Sequence, residues 1–170
     1  HDVNSQSILI TKSNKLIIEI NKKIKKYLKY IPRKHIASKS LKMNGLMIKV
    51  KNDKQIIEVI NEIAPEHLEL NVKNYKKYLN KITNAGSVCL GRFSPMAVTD
   101  YNAGTNHVLP TFGTAKFSSG LNLNEFYKKI SHINLSKKGV EVIGKKAITL
   151  AEYEELKGHA LSIKSRIRRK

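Results

Sequence analysis

The chain has 170 residues, and 41% of them are hydrophobic, which is enough to bury the core of one domain with a short appendage. No run approaches eighteen consecutive apolar residues, and Cys89 is the only cysteine. The composition therefore argues against a membrane-spanning helix and an internal disulfide framework, and a reducing, cytoplasmic setting is the expectation.

The formal net charge of +19 would favour nucleic acid or acidic membranes if the charge lay beside the distinctive residues. It lies elsewhere: residues 1–60 carry 14 Lys and Arg against 4 Asp and Glu, whereas residues 61–121 carry 6 against 4. Ile, Asn and Lys are abundant together, as an AT-rich genome would produce. We therefore expect no specific nucleic-acid partner and no membrane, and we disfavour the alternative of a basic nucleic-acid-binding module.

Strands and helices alternate in the first half of the chain. Residues 7–11 predict a buried strand, and Ser13 or Asn14 can cap a helix that Pro32 ends. The apolar stripe of this helix consists of Ile17, Ile20, Ile24 and Leu28. A strand at 46–50, a helix at 54–63 and a strand at 87–90 follow. This order predicts an α/β protein with a partial Rossmann-like parallel sheet and flanking helices.

After Gly91 the pattern becomes irregular, because residues 94–120 are rich in Gly, Pro, Ser, Thr and Asn. Long loops of this kind are usually functional. A helical pattern resumes near Leu123, breaks at 132–136 and returns from about Lys145. We expect residues 1–121 to form part of an α/β domain, and residues 122–170 to form a helical tail.

Glu66 and His67 are adjacent at the end of the second predicted helix. A carboxylate beside an imidazole offers two proton-transfer groups with different intrinsic pKa values. From the local sequence alone, a surface glutamate and a capping or packing histidine remain the more common interpretation.

Asp100 and His107 lie in the irregular segment, and both are residue types that bind zinc. No closely spaced pair of His or Cys residues strengthens that interpretation. His159 follows Glu154 by five residues on a predicted terminal helix, where it would ordinarily be an exposed histidine. Cys89 lies in an apolar strand and is expected to be a buried small hydrophobe.

Several of these segments together resemble the histidinol dehydrogenase family, in order and at suitable distances. The matching pieces are residues 63–69 (IAPEHLE), 84–86 (NAG), 100–101 (DY), 103–104 (AG), 106–111 (NHVLPT), 117–121 (FSSGL) and, in the tail, Ala151, Glu152, Leu156, His159 and Ala160. The stretch from 61 to 121 is the most specific part. His1 resembles the last residue of the family's Gln-x-x-His zinc motif.

The resemblance implies a role for each matching residue. Glu66 would activate the water that attacks an aldehyde-level intermediate, and His67 would carry the proton of the alcohol. His1, Asp100 and His159 would bind zinc. The expected substrate contacts are His1, His67, Asp100, Glu154 and His159. His107 belongs to the signature but is not assigned to the metal.

The resemblance also implies NAD and one zinc ion per subunit as cofactors, L-histidinol as substrate, and oxidation through L-histidinal to L-histidine. Family members are homodimers whose C-terminal tail reaches the partner subunit, so Glu154 and His159 would act in the neighbouring site. The NAD-contacting residues are not predicted from this chain.

The resemblance starts part-way through the family pattern, and the sequence begins with His1. We therefore expect a C-terminal portion of the enzyme that is inactive alone. The alternative is a non-catalytic remnant, or a subunit that needs a separate N-terminal half.

Overall fold

The structure is a computed structural model and describes residues 2–167. Its strands are β1 (Ile8–Thr11), β2 (Leu46–Lys49), β3 (His67–Leu70) and β4 (Ser87–Leu90). Its α-helices are α1 (Asn14–Tyr27), α2 (Lys34–Asn44), α3 (Asp53–Ile63), α4 (Lys76–Leu79), α5 (Met96–Tyr101), α6 (Lys137–Tyr153) and α7 (Lys157–Ile167). Short 3-10 turns occur at Thr114–Lys116 and Leu123–Phe126. The predicted α/β class with parallel strands and helical C-terminal segments is confirmed.

The strands form two parallel pairs. β1 pairs with β2, with Ile8 opposite Leu46, and β3 pairs with β4, with His67 opposite Ser87. A helix lies in the crossover of each pair, as parallel strands require. Within residues 2–167 the pairs are separate two-stranded sheets, where the sequence predicted a single sheet.

Helix α1 follows its predicted pattern closely. The Ser13 side chain accepts a hydrogen bond from the Leu16 amide at 3.2 Å, so it caps the helix as predicted. All four residues of the predicted apolar stripe are half-buried, while the lysines of the helix are exposed. The helix ends at Tyr27, and a turn follows before Pro32.

The core of the first half joins helices to the β3–β4 pair. Ile60 of α3, Leu70 of β3 and Tyr78 of α4 are 2%, 4% and 3% exposed and pack together. Ile56 and Ile57 extend this cluster along the same face of α3. The core therefore holds α3 against β3, and the turn between them becomes a fixed part of the structure.

The contacts divide the chain into two compact units, the first ending at Glu125 and the second starting at Phe126. In the second, α6 packs against α7, and Gly144 permits the approach because an added Cβ would lie 2.9 Å from Ile163 Cγ2. The sequence predicted this helical region but placed its main start at Lys145, not Lys137. The assignment of 1–121 and 122–170 to separate domains stays a prediction.

Between residues 2 and 167, no helix is long and apolar enough to cross a membrane.

Candidate active site

The turn between α3 and β3 presents Glu66 and His67 together. Ala64, which is fully buried, ends α3 in the left-handed conformation with φ of 49°. The Gly86 and Ser87 amides donate hydrogen bonds to the Pro65 and Glu66 carbonyls, each at 2.9 Å. His67 therefore begins a strand, not the end of a helix as the sequence suggested, and its backbone is fixed by the neighbouring strand.

Gly86 allows this close approach. A Cβ at this position would lie 2.6 Å from the Glu66 carbonyl oxygen and 3.1 Å from Pro110 Cδ. Real Cβ atoms do not approach a backbone oxygen so closely, so only glycine fits without a shift of the turn. The matching of residues 84–86 to a family signature thus has a direct steric basis.

Asn61 and Asn84 hold the same turn from the other side. The Asn61 Oδ1 accepts hydrogen bonds from the Thr83 and Asn84 amides at 2.9 and 3.3 Å, and the Asn84 side-chain amide donates to the Asn61 carbonyl at 2.9 Å. These bonds attach helix α3 to the segment that leads into β4. The role of Asn61 could not be predicted from the sequence, because nothing local indicates a hydrogen-bond partner 23 residues away.

His67 lies between two carboxylates. Its Nε2 is 3.2 Å from Asp100 Oδ1, a hydrogen-bonding distance, and its Nδ1 is 3.9 Å from Glu66 Oε1. The His67 side chain is 18% exposed, compared with 26% for Asp100 and 42% for Glu66. An imidazole that is oriented by one carboxylate and adjacent to another can accept a proton and pass it on.

Asp100 reaches this position because α5 lies against β3. The Met96 amide at the start of α5 donates a hydrogen bond to Glu69 Oε1 at 2.7 Å, and Thr99 Oγ1 donates to the Met96 carbonyl. The sequence predicted this stretch as irregular, yet it contains a short helix that carries Asp100 near its end.

His107, by contrast, is exposed. The loop around it is ordered by local bonds, including Asn106 Oδ1 with the Val108 amide at 2.8 Å and the Val108 carbonyl with the Leu121 amide at 2.9 Å. A cavity of about 730 Å³ lies beside it, lined by residues that include Val108, Pro110 and Ser118. Of these lining residues, Pro110 lies next to Gly86, since a Cβ added at Gly86 would be 3.1 Å from its Cδ.

The predicted metal ligands are distributed along the chain. His1 lies outside the described residues, Asp100 lies beside His67, and His159 is an exposed side chain of the second unit, as is the predicted substrate contact Glu154. In the described part of the chain, no three His, Cys, Asp or Glu side chains are grouped as a metal site would require. Carboxylate and imidazole are suitable zinc ligands, but the described residues do not assemble a complete set.

Cys89 is 3% exposed in β4, and burial raises the pKa of its thiol. The prediction of a buried cysteine is confirmed, and this environment disfavours the thiolate that a nucleophile needs.

The fold and the site together define an α/β protein with an adjacent carboxylate and imidazole, Glu66 and His67, at the amino end of a parallel strand. The chain belongs to the histidinol dehydrogenase family, whose model matches residues 1–167. The resemblance that the sequence motifs indicated is therefore confirmed.

The chain is 57% identical over 170 residues to histidinol dehydrogenase of Pelagibacter ubique strain HTCC1062, covering 100% of this chain and 40% of that protein. It is 48% identical over 166 residues to the enzyme of Caldanaerobacter subterraneus subsp. tengcongensis, covering 98% and 39%. The crystal structure of histidinol dehydrogenase from Elizabethkingia anophelis has a TM-score of 0.86 and 39% identity, covering 99% of this chain and 39% of that one. The chain thus spans about 40% of the length of the relatives it matches.

Proposed function

We propose that this chain supplies the proton-transfer residues of a histidinol dehydrogenase, which oxidises L-histidinol through L-histidinal to L-histidine in histidine biosynthesis. The observation that carries the proposal is the position of His67, within hydrogen-bonding distance of Asp100 and next to Glu66. Family membership supports the substrate and the reaction. The reducing cytoplasm suits a chain with a single cysteine.

The two side chains have different tasks in this proposal. His67 takes the proton from the substrate hydroxyl in the first oxidation, and Asp100 stabilises the resulting imidazolium through Nε2. Glu66 takes a proton from the water that attacks the aldehyde in the second oxidation. When bound, NAD would supply the hydride acceptor for each oxidation, so that two NAD would be used per histidinol.

Zinc is proposed to bind to Asp100 together with His1 and His159. A carboxylate has two oxygens, so the hydrogen bond between Oδ1 and His67 leaves the second oxygen for a cation. Bound zinc would orient the substrate's nitrogen atoms, and His1, His67, Asp100, Glu154 and His159 would contact the substrate. The residues that contact NAD are not assigned.

The second unit suits a homodimer with exchanged tails. Large apolar side chains are exposed along the α6–α7 hairpin, among them Val142 at 64%, Leu150 at 63% and Leu161 at 64%. Such a surface favours burial against another subunit. We propose that Glu154 and His159 of one subunit complete the site of the other.

The experiment is a chimera in which this chain replaces the matching 170-residue segment of the Pelagibacter ubique enzyme. We expect the chimera to form NADH from histidinol in the presence of zinc, and Glu66→Gln and His67→Asn to abolish most of that activity. Glu19→Gln, on the exposed side of α1, is the matched control. The isolated chain should not turn over NAD, since it spans only about 40% of the length of the relatives it matches.

A folded, zinc-loaded chimera without activity would contradict the proposal and favour a non-catalytic remnant. If the His67→Asn variant were as active as the unmutated chimera, the proposed enzymatic activity would stand, but His67 would not be the proton carrier.

A further inference from the structure

Helix α5 and strand β3 are joined at two points. His67 Nε2 meets Asp100 Oδ1 at 3.2 Å, and Glu69 Oε1 accepts the Met96 amide at 2.7 Å. Both side chains come from β3, and both partners come from α5. The two contacts therefore attach the helix to the strand near both of its ends.

The spacings of the two elements match. His67 and Glu69 are two residues apart on a strand, which separates them by roughly 6.6 Å on one face. Met96 and Asp100 are four residues apart on a helix, a rise of about 6 Å. Strand and helix can therefore make both contacts at once when they run in opposite directions.

The Glu69–Met96 contact supplies a hydrogen-bond acceptor that α5 lacks by itself. The residue before the helix is Pro95, whose side chain offers no capping oxygen, so the first amide of the helix has no local side-chain acceptor. A helix of six residues is too short to be stable without tertiary support. Glu69 supplies this acceptor through its Oε1 atom.

We propose that Glu69 is a positioning residue, which holds Asp100 against His67 by capping helix α5. Glu69 does not touch the reacting atoms in this assignment and acts through Asp100. The inference deepens the proposed function, and rests on it, because it gives Asp100 a catalytic task that depends on its placement.

The test compares three variants in the chimera defined above. Glu69→Ala removes the acceptor, Glu69→Gln keeps an oxygen that can accept the same amide, and Glu19→Ala removes an exposed glutamate of α1. Three quantities are measured: hydrogen exchange of peptides covering residues 94–102, kcat/KM for histidinol, and the urea midpoint of unfolding.

We expect Glu69→Ala to speed exchange in residues 94–102 and to lower kcat/KM by about 10- to 100-fold, as is typical when support for a functional carboxylate is lost. In Glu69→Gln, both the exchange rate and kcat/KM should stay close to those of the unmutated chimera. Glu19→Ala should change neither quantity. Because α5 is a small surface helix, the urea midpoint should stay close to that of the unmutated chimera. A fall in kcat/KM without a fall in the urea midpoint of unfolding distinguishes a positioning role from general destabilisation.

Unchanged exchange in Glu69→Ala would overturn the capping contact, and faster exchange with unchanged kcat/KM would overturn the positioning role. Equal loss in the Ala and Gln variants would show that charge, not the hydrogen bond, is responsible, which also contradicts the proposal. The exchange measurement does not depend on activity. An inactive unmutated chimera would therefore refute the proposed function while exchange still decides whether Glu69 holds the helix.

Discussion

His67 Nε2 lies 3.2 Å from Asp100 Oδ1, although 33 residues separate the two in the chain. The contact joins the amino end of β3 to the end of α5, so it depends on the tertiary arrangement of these elements. An ionised carboxylate can only accept a hydrogen bond, so the contact orients the imidazole and favours the tautomer that carries its proton on Nε2. The functional meaning of Glu66 and His67 therefore depends on a residue from a different segment.

The first prediction concerns Asp100→Asn in the chimera. The amide keeps the size of the side chain but loses the negative charge that, in the proposed function, stabilises a protonated His67 and binds zinc. We expect kcat to fall by about 10²- to 10⁴-fold, the usual contribution of general acid–base catalysis. Steady-state kinetics with histidinol measure this. The control is Glu62→Gln, which removes an exposed carboxylate that pairs with Lys116 at 3.1 Å; an equal loss in that control would contradict a specific role for Asp100.

The sequence predicted the elements whose signals are local. The stripe of α1 repeats every three to four residues, and Ser13 offers a cap, so both the helix and its buried face could be predicted. Helix α2 was not predicted, because Lys34, Lys39 and Lys42 dilute its short apolar pattern. Strand β3 has only four residues after Pro65, and its identity as a strand comes from pairing with β4.

The site could be predicted only as a set of residues. Motifs identified Glu66, His67 and Asp100, but no periodicity could show that His67 contacts Asp100, or that Glu69 binds the Met96 amide 27 residues away. Contacts of this separation are fixed by the packing of α5 on β3, which local sequence does not encode. The roles assigned to all of these residues, and to His1, Glu154 and His159, stay predictions.

The second prediction tests the steric role of Gly86. In Gly86→Ala the new Cβ would need to displace the Glu66 carbonyl, which an undisturbed turn holds 2.6 Å away. We expect a loss of about 1–3 kcal/mol in the free energy of unfolding, as for other overpacked sites, and a lower kcat/KM because Glu66 and His67 shift. Urea unfolding and kinetics of the chimera check both effects.

Gly158→Ala is the matched control for that change. An added Cβ at Gly158 meets no atom within 4 Å, and the residue lies in helix α7, where alanine is favoured over glycine by up to about 1 kcal/mol. Stability should therefore stay equal or rise. If Gly86→Ala is as stable and active as this control, the turn has room that the structure does not show.

The third prediction concerns Asp53 and the pH dependence of stability. Hydrogen bonds from Lys12 and Lys77 hold the pKa of the Asp53 carboxyl well below its usual range. A carboxyl whose pKa is depressed by folding stabilises the folded state above its unfolded pKa of about 3.9, and this contribution is lost as the pH falls towards the folded pKa. The urea midpoint of Asp53→Asn should therefore lie below that of the unmutated chain at neutral pH, and the difference should shrink below about pH 4.

The control for Asp53 is Glu58→Gln, which removes an exposed pair with Lys54 at 3.8 Å. Exposed pairs of this kind contribute little, so its midpoint should match that of the unmutated chain at every pH. A difference for Asp53→Asn that stays constant from neutral pH into the acid range would contradict the assigned cause.

The fourth prediction is that Cys89 resists alkylation in the folded chain. The thiol is 3% exposed in β4, and burial raises its pKa, so both access and thiolate formation are suppressed. Iodoacetamide at pH near 8 should modify the folded chain far more slowly than the chain in urea, and intact-mass spectrometry follows the single adduct.

Because the Cys89 side chain lies in the β3–β4 pair, opposite Glu69, modification should track opening of that pair. Rapid labelling of the folded chain would mean that the pair beneath His67 opens readily, and the fixed placement of the Glu66–His67 turn would then be refuted.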